Sequence, residues 1–207
     1  MSSVEIVVLV DNRPCRNSML NLRSTWGLST FIRIDNNVNI LFDLNTSWEN
    51  VYYNANVLGV PIENVECIVI SHWHGDHAGG LNGALKYYER TSKSVKVITP
   101  TPLSVHGKIE NIVGISPITI TSGVMTTGTL GFLIKEQALI LNIRGKGPII
   151  MVGCSHPGLK NILERARKLL GVSKIYGVIG GYHIGLSEAY SVVEIFREYG
   201  VRVVGPA

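Results

Sequence analysis

The sequence predicts a layered α/β domain with sheets inside and helices outside, and three observations carry that reading. Short apolar, β-branched runs recur along the chain, the clearest at residues 4–10, 38–42 and 66–70. Apolar stripes at helical spacing alternate with them, as in Leu159, Ile162, Leu163, Ala166 and Leu170. Finally, 207 residues that are 45% hydrophobic and only 16% charged suit a globular chain with a large buried sheet and exclude disorder. That length fits one well-cored domain, residues 1–207, and is short for two.

In chain order, 4–10 reads as a strand that ends at Asp11-Asn12, and 13–27 as loop. Strands at 28–34 and 38–42 flank the hairpin signal Asp35-Asn36-Asn37. Ser47 is placed as the N-cap of a helix with Val51, Tyr52, Ala55 and Leu58 on one face, closed by Gly59 and Pro61. A strand at 66–70, a helix at 80–88 and a strand at 95–98 follow. Four strand-like runs come next, at 115–121, 128–134, 137–143 and 148–152. Turn signals at Lys135-Glu136 and 144–147 make the last three an antiparallel meander. The final third alternates: a helix at 158–170, a strand at 174–179, a helix at 187–199 with Ala189, Val192, Val193 and Phe196 inward, and a strand at 201–204.

Charge and composition narrow the function. The net charge of +4 and pI near 9.0 come without any run of Lys and Arg, which speaks against nucleic-acid binding. There is no signal-peptide pattern at Met1-Ser2-Ser3-Val4-Glu5 and no apolar stretch near the roughly 20 residues that span a bilayer. Cys15, Cys67 and Cys154 are odd in number and widely spread, which fits free thiols or a ligand in a reducing compartment, hence a cytoplasmic location. Nothing in the composition excludes a homo-oligomer.

The chemistry concentrates in Ser71-His72-Trp73-His74-Gly75-Asp76-His77-Ala78-Gly79-Gly80, directly after the apolar run at 66–70. In an extended segment His72 and His74 project to one side and can share a metal ion. A turn at Gly75 would let Asp76 and His77 offer an oxygen and a nitrogen to a second ion. Mixed N and O donors suit Zn²⁺ first, with Fe or Mn as alternatives. Two ions about 3.5–4 Å apart can bridge one hydroxide, so the expectation is a binuclear site.

This stretch resembles the signature of the metallo-β-lactamase superfamily, and the likeness extends across most of the chain. The resemblance implies a four-layered αβ/βα sandwich, two mixed sheets between outer helices, with the metals at one edge. Phe42-Asp43-Leu44-Asn45 is similar to the family's Asp-Thr-Gly element, with Leu-Asn in place of Thr-Gly. Gly153-Cys154-Ser155-His156-Pro157-Gly158 and Gly180-Gly181-Tyr182-His183 resemble motifs of one branch, which includes the archaeal dihydropterin-linked ribofuranosylaminobenzene 5'-phosphate synthase type. Asp11-Asn12 and Trp26-Gly27-Leu28-Ser29 also match, except that the branch usually has His where Trp26 stands.

By that resemblance His156 completes the first metal's shell with His72 and His74; otherwise it is a helix-start histidine. Cys154 is either a ligand or a small packed residue. His183 either ligates the second metal, protonates a leaving group, or is structural. Asp43 serves best as an acceptor that orients a ligand imidazole, and as a surface turn residue it would mean little. The branch usually follows its last strand with a His-Cys-Thr-Gly-like segment. This chain stops at Gly205-Pro206-Ala207, so either it lacks a short C-terminal segment or the second site relies on His183 or water. His106 reads as an exposed loop residue, Arg144 and Lys146 as a basic turn or a phosphate contact, and Trp26, Trp48, Trp73, Tyr87 and Tyr88 as packing or an aromatic cleft.

These expectations converge on an enzyme acting on a small molecule that carries an ester, amide or phosphoester bond and is phosphorylated in the branch reading. The attacking group is a zinc-activated hydroxide, with Asp76 and His183 as catalytic residues. The alternatives are a transferase that condenses a pterin diphosphate with an aminobenzene ribose phosphate, and a non-catalytic metal or ligand binder.

Overall fold

In the computed structural model, residues 1–13, 19–102 and 110–207 are described. The chain forms two compact units: one comprises Val4–Val113, the other Gly114–Ala207 together with Met1–Ser3.

The first unit is built on a six-stranded mixed sheet. Strands β1 (Val4–Val10), β2 (Ser29–Ile34) and β3 (Val38–Phe42) pair antiparallel in that order. Asp35 and Asn36 adopt φ of 48° and 57°, the two left-handed positions that a tight hairpin between right-twisted strands requires. Helix α1 (Trp48–Val57) returns the chain to β4 (Cys67–Val69), parallel to β3. The one-turn helix α2 (Gly75–Ala78) and then α3 (Leu81–Arg90) lead to β5 (Lys96–Thr99), and β6 (Glu110–Val113) closes the sheet in parallel. Phe31, Leu41 and Ile68 face a helix-covered core with Val51, Ala55, Leu81 and Ala84. Their neighbours Ile32, Ile40, Phe42 and Val69 are fully buried as well, so the central strands are covered on both faces. This explains their near-continuous apolar sequence.

The second unit repeats the recipe in the same order, antiparallel strands first and parallel strands after them. Strands β7 (Thr119–Thr121), β8 (Val124–Thr126), β9 (Leu139–Ile143) and β10 (Gly147–Val152) form an antiparallel meander. Helix α4 (Leu159–Leu170) crosses to β11 (Gly177–Gly180) and helix α5 (Ala189–Glu198) to β12 (Val203–Pro206), both strands parallel to β10. Ile162, Leu163 and Ala166 of α4 pack with Val192, Phe196 and Tyr199 over Ile150, Val152 and Val178. Among the described residues, no helix is long and apolar enough to cross a membrane.

Three sequence expectations need correction. The run at 128–134 is a loop, and the meander strand lies earlier, at β8. Thr126 Oγ1 accepts from the Ile118 and Gly128 amides, and the Thr129 amide donates to the Gly114 carbonyl, so local bonds replace the ladder there. Of 115–121 only β7 is strand. On α5, Val193 is exposed, and the inward stripe is Val192, Phe196 and Tyr199. Ser47 does occupy the N-cap, but its hydroxyl bonds the Glu49 carboxylate and no backbone amide. Arg144 and Lys146 lie exposed in the β9–β10 turn, whereas His106 and Cys15 lie outside the described residues.

Cys67, buried in β4, has its thiol pushed up to about 12 by desolvation. At pH 8 its thiolate fraction is negligible, so iodoacetamide should leave Cys67 unmodified in the folded protein and alkylate it after denaturation, as read by peptide mass spectrometry.

Candidate metal centre

The histidine stretch leaves β4 in extended conformation and turns at Gly75. His74 is the N-cap of α2, and its carbonyl accepts from the His77 and Ala78 amides. That single helical turn carries Asp76 and His77. The His72 ring lies 4.7 Å from that of His74 and 4.3 Å from that of His77, centroid to centroid. His77 Nε2 and Asp76 Oδ2 are 3.6 Å apart. His72 and His77 are buried, Asp76 is half-buried and His74 is exposed.

Beneath these groups lies Asp43, fully buried at the end of β3 with φ 59°. Its Oδ1 accepts the Ser71 amide at 2.7 Å, and its Oδ2 accepts the Ser71 hydroxyl at 2.7 Å and faces His77 Nδ1 at 2.7 Å. Ser71 Oγ is in turn 2.8 Å from His72 Nδ1. Because the hydroxyl hydrogen points at the carboxylate, His72 Nδ1 must be the donor to Ser71 Oγ; His77 Nδ1 likewise donates to Asp43. Both rings are thereby held as Nδ1–H tautomers, which puts the ring lone pair on Nε2. This donor chemistry fits a transition-metal ion of the zinc type.

In the second unit, the loop after β10 carries Cys154 and His156, and the loop after β11 carries His183. The Gly181 amide donates to the Gly153 carbonyl at 2.9 Å, and Ser155 Oγ donates to the Gly181 carbonyl at 3.0 Å. A Cβ at Gly181 would lie 2.3 Å from the Gly153 oxygen, so this backbone approach demands glycine. The His156 and His183 rings stand 4.9 Å apart, His156 half-buried and His183 exposed with φ 45°. Candidate metal donors are thus His72, Asp76 and His77 in one unit and Cys154 and His156 in the other.

Residues 27–122 match the metallo-beta-lactamase superfamily. The chain is 24% identical to 7,8-dihydropterin-6-methyl-4-(beta-D-ribofuranosyl)-aminobenzene-5'-phosphate synthase of Methanocaldococcus jannaschii, over 87% of this chain and 79% of that protein. Human tRNase Z, short form, superposes with a TM-score of 0.60 at 13% identity, covering 97% of this chain and 91% of that one. The metallo-beta-lactamase fold protein YhfI from Bacillus subtilis superposes at 0.55 with 12% identity, covering 100% and 97%. At such identities the superpositions speak for the metallo-β-lactamase fold.

In the segment that resembles an Asp-Thr-Gly element, Asn45 in place of Gly has a physical account. Asn45 takes φ 54°, a left-handed conformation that Asn tolerates far better than most residues. Its side chain donates to the Trp26 carbonyl and accepts from Thr25 and Thr46, which ties the 25–27 loop to the end of β3. Of the aromatic residues, Trp48 and Tyr88 are buried and Tyr87 packs against both, whereas Trp26 and Trp73 are exposed.

Sequence reasoning assigned no role to Ser71 or Glu136. Ser71 could have been suspected from its place between an apolar strand and the first histidine. Glu136, expected in a turn, is 1% exposed. Its Oε1 accepts the Cys154 and Ser155 amides at 3.1 and 2.9 Å, and its Oε2 the His156 amide at 2.9 Å.

Two variants test this geometry. Asp43→Asn turns an acceptor into a donor toward Ser71 or His77, and it should cost about 1–3 kcal/mol of unfolding free energy in urea denaturation. At Gly27, with φ 111°, a Cβ would fall 2.0 Å from the Asp76 carbonyl oxygen. Gly27→Ala should therefore displace α2, visible as shifted His77 amide and imidazole resonances.

Proposed function

We propose that the chain is a metal-dependent hydrolase that acts on an ester, amide or phosphoester bond of a small, phosphorylated molecule. The observation that carries this reading is the Asp43–Ser71 network, which presents His72 and His77 with a fixed tautomer. A binding site for a loosely held surface ion would not need two imidazoles locked from below by a buried carboxylate. His72 and His74 would hold one ion, and Asp76 and His77 would serve another. Zinc is the first choice, one or two ions per chain, with Fe or Mn as alternatives. When bound, such an ion acts as a Lewis acid and makes hydroxide available near neutral pH. Family resemblance adds His156 as a ligand, His183 as a ligand or as proton donor to the leaving group, and Cys154 as a ligand or a packed thiol. Asp76 would also orient the attacking nucleophile, while Asp43 orients His77 directly and His72 through Ser71.

A second reading is favoured by the relative of Methanocaldococcus jannaschii, named as a synthase. In it the same groups would hold a diphosphate leaving group while an aromatic carbon or an amine attacks the pterin methylene carbon. The diphosphate would depart with the electron pair of the broken C–O bond, and the attacking carbon or nitrogen would release its proton to water. Products that retain the ribose phosphate would mark this transferase.

Elemental analysis of the purified protein, paired with a screen of phosphodiester, lactone and pterin-diphosphate substrates, tests both readings. The expected result is at least one zinc per chain and turnover that disappears together with the metal in His72→Ala. A folded protein with less than one metal per chain would leave a non-catalytic binder, and turnover that survives in His72→Ala would refute the site.

A further inference from the structure

A buried carboxylate normally finds a cation or a set of hydrogen-bond donors, because desolvation without compensation is costly. Glu136 lies 1% exposed just before β9, and three hydrogen bonds to its side chain come from one short segment. Three successive amides, those of Cys154, Ser155 and His156, point at its two oxygens. Its own backbone is pinned on both sides by reciprocal bonds with Leu130, 2.7 Å from the Leu130 amide and 3.0 Å to the Leu130 carbonyl. The carboxylate is therefore a fixed anchor rather than a flexible cap.

The held segment needs such an anchor. Ser155 has φ 64°, a left-handed conformation that costs a non-glycine residue of order 1–3 kcal/mol unless its surroundings over-determine it. Glu136 restrains this strained turn from one side. From the other, the Ser155 hydroxyl and the Gly153 carbonyl bind the 181 backbone. The direction in which His156 leaves the turn, and its 4.9 Å ring separation from His183, depend on both restraints.

We infer that Glu136 is a positioning residue: its carboxylate fixes the Cys154–His156 backbone and through it aims the His156 imidazole. The metal-binding consequence rests on the proposed function above, in which His156 is a ligand; the backbone clamp itself does not.

Glu136→Gln tests it, since the amide keeps the shape but faces at least one backbone N–H with a donor of its own. Glu136→Asp, which keeps the charge and withdraws it by one methylene, stands in if the Gln variant does not fold. In metal-free protein, amide hydrogen exchange at 154–156 should accelerate at least ~10-fold while β9 and β10 keep their protection. Zinc affinity, by competition with a chelator, should fall about 10–100-fold. That loss should vanish when Glu136→Gln is made in a His156→Ala background, because the carboxylate acts through that imidazole. Unchanged exchange at 154–156 would overturn the inference, and so would additive losses of zinc affinity in the double variant. If the wild-type protein binds no zinc, the functional reading fails, and the exchange measurement decides the clamp alone.

Discussion

The first unit depends on one buried carboxylate. Asp43 sits at zero exposure where β3 ends, and its two oxygens take up the amide and hydroxyl of Ser71 and the imidazole of His77. Around it the backbone is laced just as tightly. The Asp43 amide donates to Val69, the Leu44 amide to His77, and the Asn45 amide to Leu28, so β3, β4, α2 and the start of β2 meet at this residue. A carboxylate so placed is tolerable only while all of these donors remain aimed at it. The fold thus enforces the imidazole tautomers, and the imidazoles in turn justify an anion in the core.

The second unit solves the same problem with different contacts. Glu136 restrains its histidine-bearing loop through three main-chain amides, whereas Asp43 restrains its own through side chains as well as one amide. Side-chain bonds settle which ring nitrogen carries a proton. Main-chain bonds settle where the residue is in space. His72 and His77 are thereby fixed in tautomer, and His156 is fixed in placement. Each unit follows an antiparallel run joined to a parallel one, and each carries its histidines on loops that leave the parallel strands.

Much of this was legible in the sequence, and what was missed shares a cause. The strands at Val4–Val10 and Val38–Phe42 and helix α4 follow from periodicity and turn chemistry, because there local preference and tertiary burial agree. The candidate metal-donor stretch is legible because His72, His74, Asp76 and His77 are neighbours in the chain. Glu136 was hidden because its partners lie 18 to 20 residues away and are backbone amides, which carry no sequence signature. The 128–134 segment misled because Thr129 looks like a strand residue while its amide and hydroxyl both bind the Gly114 carbonyl. Val193 was placed inward by spacing, although the α5 stripe turns toward Tyr199.

The match of residues 27–122 to the metallo-beta-lactamase superfamily and the tautomer-locked histidines support the proposed enzyme that uses a metal ion, and the synthase relative keeps transfer chemistry beside hydrolysis as an outcome to be measured. The claim beneath both is that Asp43 and Ser71 hold His72 and His77 with Nδ1 protonated and Nε2 directed to a metal. Long-range ¹H–¹⁵N correlation spectra of the imidazoles test it directly, recorded on metal-free protein and again after zinc is added. The account predicts Nδ1–H tautomers for both rings before zinc and selective shifts of both Nε2 resonances after it. Nε2–H tautomers in the metal-free protein, or Nε2 resonances that ignore zinc, would contradict it.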